Sequence, residues 1–207
     1  MRKLFMLGSL IALLVPTASH AQFQVGARLG FAPAMGDAEK DAAMSDGVKS
    51  QIPLQLDGFY KVNKDLAVGL YFAYGIAQLN SDLCVDGVTC SANDIRVGVQ
   101  GTYTFNEVKA PLVPWAGIGV GYERGSFKQE FAGLSQTTTL TGYDLSLQAG
   151  GDYKVNDKFS VGPYLQISIA QYGHGETKGD LGDASGSITD KALHQWLGFG
   201  VAGKFNL

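Results

Sequence analysis

Beyond residue 21 the sequence lacks any run of roughly 18 uncharged apolar residues, which excludes a helical membrane span. Charge is also scarce. Asp, Glu, Lys and Arg make up 17% of the chain, against about 25% in an ordinary soluble domain. Positive charge is not in excess either: without residues 1–21 the remaining 186 residues carry 14 Lys and Arg against 19 Asp and Glu, a net −5. A nucleic-acid partner is therefore not expected, because phosphate binding needs clustered Lys and Arg. There are two cysteines, Cys84 and Cys90, too few for a thiolate metal centre. Downstream of residue 21 only His174 and His194 remain as histidines.

What is present begins with a three-part leader. Arg2 and Lys3 form a positive start, Leu4 to Val15 an apolar core, and Pro16 breaks the helix. Ser19-His20-Ala21 then places small residues at the positions a signal peptidase reads, so residues 1–21 are expected to be a signal peptide cleaved after Ala21. Residues 22–207 are of one-domain size.

Those residues alternate with period two in eight runs: Phe23–Phe31, Gln51–Val62, Leu66–Leu79, Asp94–Phe105, Val113–Phe127, Thr139–Val155, Phe159–Tyr172 and Ala192–Leu207. In each, one parity is apolar. Leu66, Val68, Leu70, Phe72, Tyr74 and Ile76 share a face, as do Ile95, Val97, Val99, Tyr103 and Phe105. An all-β, eight-stranded antiparallel up-and-down barrel is expected. Alternation alone leaves two orientations open: a soluble lipocalin-like binder with its apolar face inside, or a transmembrane barrel with it outside. Three features favour the membrane. The polar parity carries Gly, Ser, Thr and Gln rather than the Lys/Glu-rich face that water demands. The apolar parity is free of charge except Arg124, near a loop end where it can snorkel. Long connections at 32–50, 80–93, 128–138 and 173–191 alternate with short ones at 63–65, 106–112 and 156–158, as external loops alternate with periplasmic turns in outer-membrane barrels.

A weak internal repeat relates Gly58–Tyr71 (GFYKVNKDLAVGLY) to Gly151–Tyr164 (GDYKVNDKFSVGPY), two strand–turn–strand units. Tyr60, Tyr103, Phe105, Tyr153, Phe159 and Phe205 fall on the outward parity beside the short turns, the expected place of an aromatic girdle. By this pattern the chain resembles the small outer-membrane β-barrel superfamily that includes the OmpA membrane domain, OmpX and OmpW. Its last run, Trp196–Leu207, resembles the C-terminal signal such proteins present to the outer-membrane assembly machinery, departing from it in ending on Leu207 rather than an aromatic. The resemblance implies a bacterial outer-membrane location and outer-membrane lipid as a partner.

An eight-stranded lumen is just wide enough for side chains to fill. Register places Arg28, Lys61, Arg96, Lys154 and Lys204 inside with Asp57, Glu123, Asp144 and Asp152, a near-cancelling set that reads as paired charge rather than a one-sign pore wall. Folding the fourth and fifth runs about a turn near 109–110 sets Arg96 opposite Glu123 as an expected ion pair, and Asp57 falls opposite Tyr71 as an expected hydrogen bond. Cys84 and Cys90 are expected to form a disulfide in an external loop. The acidic loop residues, Asp37, Glu39, Asp41 and Asp46 in the first and Glu176, Asp180, Asp183 and Asp190 in the last, have no calcium-loop spacing. Gly117, Gly119 and Gly121 precede no helix, so they are read as strand glycines facing the lumen. Neither histidine begins a His-x-Ser pattern and no serine is fixed near a base, so no catalytic activity, cofactor or metal is expected. A structural or surface-interaction role through the loops, toward an unidentified extracellular partner, stands beside a narrow passage for small or hydrophobic solutes of the kind suggested for OmpW-like barrels.

Overall fold

A computed structural model describes residues 23–80, 82, 84, 87–108 and 110–207; the expected leader with its cleavage at Ala21, and the turn centre Lys109, lie outside the described residues. Ten strands follow in order: β1 (Phe23–Glu39), β2 (Ala42–Ala43), β3 (Val48–Lys61), β4 (Leu66–Leu79), β5 (Val88–Thr104), β6 (Leu112–Phe131), β7 (Leu134–Lys154), β8 (Phe159–Gly179), β9 (Ala184–Ser187) and β10 (His194–Asn206). One helical turn, α1 (Met44–Gly47), interrupts the first external connection.

Among the described residues eight of these strands close a ring in the order β10-β1-β3-β4-β5-β6-β7-β8, with β8 pairing back onto β10, and every pairing is antiparallel. β2 and β9 add short hairpins above it. Closure removes the sheet edges, the condition for carrying strands through lipid. The alternation places Leu29, Leu54, Leu70, Val99, Val120, Leu147, Ile167 and Val201 outward and exposed. Inside are Arg28, Gln55, Asp57, Arg96, Gln100, Glu123, Asp144, Gln148 and Ser168, all buried. The barrel is thus inverted relative to a lipocalin.

The internal repeat proves to be a turn. The Asn63 side chain accepts the backbone N–H groups of Asp65 and Leu66, both at 2.8 Å. Asn156 does the same for Lys158 and Phe159 at 2.9 and 2.8 Å. In each copy two further backbone bonds run to the carbonyl of the first residue of the next strand, from Val62 and Asn63 to Leu66 and from Val155 and Asn156 to Phe159. The asparagine closes the turn with its own side chain, so a short linker suffices. Asn63→Ala and Asn156→Ala are each expected to lower the urea unfolding free energy of the refolded barrel by about 1 kcal/mol. Unchanged midpoints in both would mean that strand pairing alone holds these turns.

At the opposite end the strands outrun their sequence-predicted limits. Residues 128–138, expected as a loop, continue β6 and β7 in register to Phe131 opposite Leu134. The turn between them is Ala132 (φ 51°) and Gly133 (φ 84°). Two left-handed residues in a two-residue connection match the right-handed twist of the flanking strands. β1 runs on to Glu39, β5 begins at Val88, and β8 reaches Gly179. Above the apolar band both faces of a strand see water. Hydrogen-bonded pairing persists there while the alternation that marks it in sequence stops.

Candidate functional site

The lumen is filled in layers, tied both across it and along single strands. Nearest the short turns is a polar vestibule of about 400 Å³ lined in part by Lys61, Lys154, Asp152, Lys204 and Asn206. Lys204 donates to Asp152 at 2.8 Å, and Lys61 to Asn206. Lys154, expected inside the charge network, is exposed at this mouth instead, because β7 ends there, at the lip of the lumen.

Above the vestibule Arg28 crosses the barrel. Its Nε donates to Asp57 Oδ2 at 2.7 Å, Nη1 to Gln148 Oε1 at 2.6 Å and Nη2 to Gln100 Oε1 at 3.2 Å. Asp57 Oδ1 in turn accepts from the amides of Gln55 and Gln100, each at 2.7 Å. One guanidinium therefore joins β1, β3, β5 and β7. Its flat face lies over Trp115 (5.4 Å) and Tyr164 (5.8 Å), while Lys204 Nζ sits 4.1 Å from the Trp115 ring. Trp115 is 2% exposed. It fits because Gly150 has no Cβ: one placed there would lie 2.5 Å from Trp115 Cζ2.

The next layer holds Tyr71, which donates to Asp144 Oδ1 at 3.1 Å. Asp57 is opposite Tyr71 in register, as expected, but the hydrogen bond goes across the lumen to β7. Tyr71 reaches it by lying over Gly121, where a Cβ would lie 2.1 Å from the phenol oxygen. Arg96 is likewise directly opposite Glu123, yet its ion pair is with Asp94 on its own strand, Nε to Oδ2 at 2.9 Å. That N–H is not aligned on the carboxylate, so the contact is one of charge rather than a hydrogen bond. Arg96 Nη1 donates to Ser168 at 3.0 Å.

Glu123 caps the stack with no accessible surface. It accepts from the Trp196 indole at 3.0 Å and the Tyr172 hydroxyl at 3.4 Å, and its second oxygen lies 3.1 Å from His194 Nε2. Tyr172 and His194 are stacked, 4.3 Å between ring centres. Above this lies an external pocket of about 310 Å³ with mainly apolar walls, including Ala38, Met44, Val48, Phe127 and Leu140 over a floor of Tyr172 and Trp196. Between the Arg28 and Glu123 layers a gap of about 10 Å³ remains, roughly the space of one water.

Sequence reasoning reached the charged lumen residues and the polar parity that carries Gln100 and Gln148, but not Trp115, Tyr172, His194 or Trp196 as lumen residues. The signal was available for Trp196 and His194, which occupy the parity opposite Leu193, Leu197 and Phe199. Tyr60, Tyr103, Phe105, Tyr153, Phe159 and Phe205 all lie at the short-turn end, with Phe23 against Tyr60 at 5.6 Å and Tyr103 against Phe105 at 5.1 Å. A disulfide joins Cys84, in the connection from β4 to β5, to Cys90 near the start of β5. Of the acidic loop residues, Asp180 accepts the Ser135 N–H at 2.7 Å, Asp183 that of Gly179 at 3.2 Å, and Glu176 pairs with Lys178 at 2.6 Å.

An eight-stranded ring with an apolar exterior and a polar, filled interior defines a transmembrane β-barrel of the outer-membrane kind. A family model described as an outer membrane protein beta-barrel domain matches residues 63–206. The chain belongs to that family, and its place is the bacterial outer membrane. Solved structures agree in fold. Neisserial surface protein A is 12% identical with a TM-score of 0.58, over 92% of this chain and 100% of that one. A major outer membrane protein from Thermus thermophilus is 15% identical at 0.59, over 88% and 98%. The outer membrane protein OprG from Pseudomonas aeruginosa is 18% identical at 0.53, over 91% and 99%. No curated protein sequence matches the chain.

Proposed function

We propose that this protein is a closed barrel whose lumen is a structural plug and whose activity resides in the external rim, toward a partner outside the cell. The observation that carries this reading is the Arg28 crosstie, which joins β1, β3, β5 and β7 through one buried guanidinium with Trp115 packed against it. Opposite charges alternate up the lumen, so no single sign lines a path for ions. The six aromatic residues at the short-turn end serve as the periplasmic girdle, and Trp196–Leu207 as the segment read during assembly. The refolded protein in a planar bilayer is expected to give no discrete conductance steps, and liposomes containing it no swelling with solutes of graded size. Reproducible steps from the unmodified protein would overturn the reading.

A second reading, a passage for small hydrophobic solutes, is favoured by the apolar external pocket. Its floor of Tyr172 and Trp196, locked to Glu123, leaves a solute entering from outside no onward path except sideways between strands. Uptake of an apolar solute into liposomes, without ion conductance, would favour this second reading over the first.

A further inference from the structure

Along β6, β7 and β8 the outward face changes character at a single row. Up to Tyr122 and Tyr143, which pack edge to face at 5.9 Å, it is apolar except for Gln171, opposite Tyr143: Ile118, Val120, Leu145, Leu147, Ile167 and Ile169. The next row, read from the pairing, is Arg124 opposite Thr141 and Thr141 opposite His174. Two rows higher Lys128 is opposite Thr137 and Thr137 opposite Lys178. Lys128 pairs with Glu130 and Lys178 with Glu176, whereas Arg124 is exposed and takes part in none of the ion pairs formed among the described residues. Arg124 and Lys178 thus stand one row and three rows above a tyrosine pair on a rigid sheet, with Glu176, the partner of Lys178, in the row between them.

Tyrosine on a barrel exterior marks the level where hydrocarbon gives way to headgroups. An arginine immediately beyond that level, free of a protein carboxylate, is complementary to phosphate in charge and in its two-pronged donor geometry. We propose that Arg124, supported by Lys178 and the hydroxyl of Thr141, binds the phosphate of an outer-leaflet lipid headgroup. The site fixes the barrel's depth and presents its rim next to a bound lipid. It rests on the membrane placement of the barrel and is independent of whether the lumen conducts.

The test is native mass spectrometry of the refolded chain released from detergent micelles containing phosphatidic acid or, separately, the uncharged diacylglycerol. Phosphatidic acid is expected to remain bound and diacylglycerol not. Arg124→Gln is expected to reduce retention about ten-fold, the weight of one charge-assisted hydrogen bond, and Lys178→Gln to reduce it less. Lys158→Gln, which removes the same charge at an exposed periplasmic turn, is expected to change nothing. Heat-modifiable gel mobility checks that each variant is folded, and Lys178→Gln reads the same patch if Arg124→Gln is not. Equal losses for Arg124→Gln and Lys158→Gln, or retention of diacylglycerol at the level of phosphatidic acid, would overturn the proposal. So would displacement by inorganic phosphate, which would make this a free-anion site.

Discussion

Arg28→Ala is expected to lower the unfolding free energy of the refolded barrel by about 3–5 kcal/mol, the usual cost of removing one partner from a buried ion pair. The loss is large because Arg28 is 2% exposed and makes three side-chain hydrogen bonds, to Asp57, Gln148 and Gln100. Its removal strands Asp57 as a buried carboxylate and leaves Trp115 without the cation over one face. Gln55 and Gln100 still donate to Asp57 Oδ1, but neither supplies positive charge. The paired change Arg28→Met with Asp57→Leu separates charge from packing. With both charges gone no ion is stranded, and most of the stability is expected to return. Urea titrations followed by tryptophan fluorescence measure both, since Trp115 touches Arg28. If the double variant were as unstable as Arg28→Ala, the loss would belong to packing around Trp115 rather than to the ion pair.

Much of this arrangement was legible in the sequence, and the part that was not has two causes. Alternation gave the strands, and the short connections at 63–65 and 106–112 fixed register well enough to set Asp57 opposite Tyr71 and Arg96 opposite Glu123. Register, however, names only neighbours along the wall. In a barrel this narrow the opposite wall is just as near, so side chains choose partners several strands away. Arg28 on β1 reaches Gln148 on β7, Tyr71 on β4 reaches Asp144 on β7, and Glu123 on β6 reaches His194 and Trp196 on β10. Those choices depend on rotamers and on which wall positions are glycine, as at Gly121 under Tyr71 and Gly150 under Trp115. Period-two reading does not contain that information. It fails at the rim for a different reason: with water on both faces, residues 128–138 carry no apolar parity to mark them as strand.

Glu123→Ala is the other substitution expected to have a large effect, again about 3–5 kcal/mol. Glu123 is fully buried and is the acceptor on which three side chains from two strands converge: Trp196 at 3.0 Å, Tyr172 at 3.4 Å and His194 at 3.1 Å. Alanine leaves an indole N–H and a phenol O–H without a partner in a water-poor interior, each costing about 1–3 kcal/mol. It also removes a negative charge directly across from Arg96. Glu123→Gln keeps one acceptor oxygen for Trp196 or Tyr172 and roughly the same volume, so its loss is expected to be about half that of alanine. Because Tyr172 and Trp196 form the floor of the external pocket, the alanine variant is also expected to loosen that floor. Hydrogen exchange at the amides of β10 near His194 should then rise while exchange at Val99 and Val120, deep in the wall, stays protected. Equal stability losses for alanine and glutamine would mean that the carboxylate's acceptor role does not hold the cap together, and that its charge opposite Arg96 does.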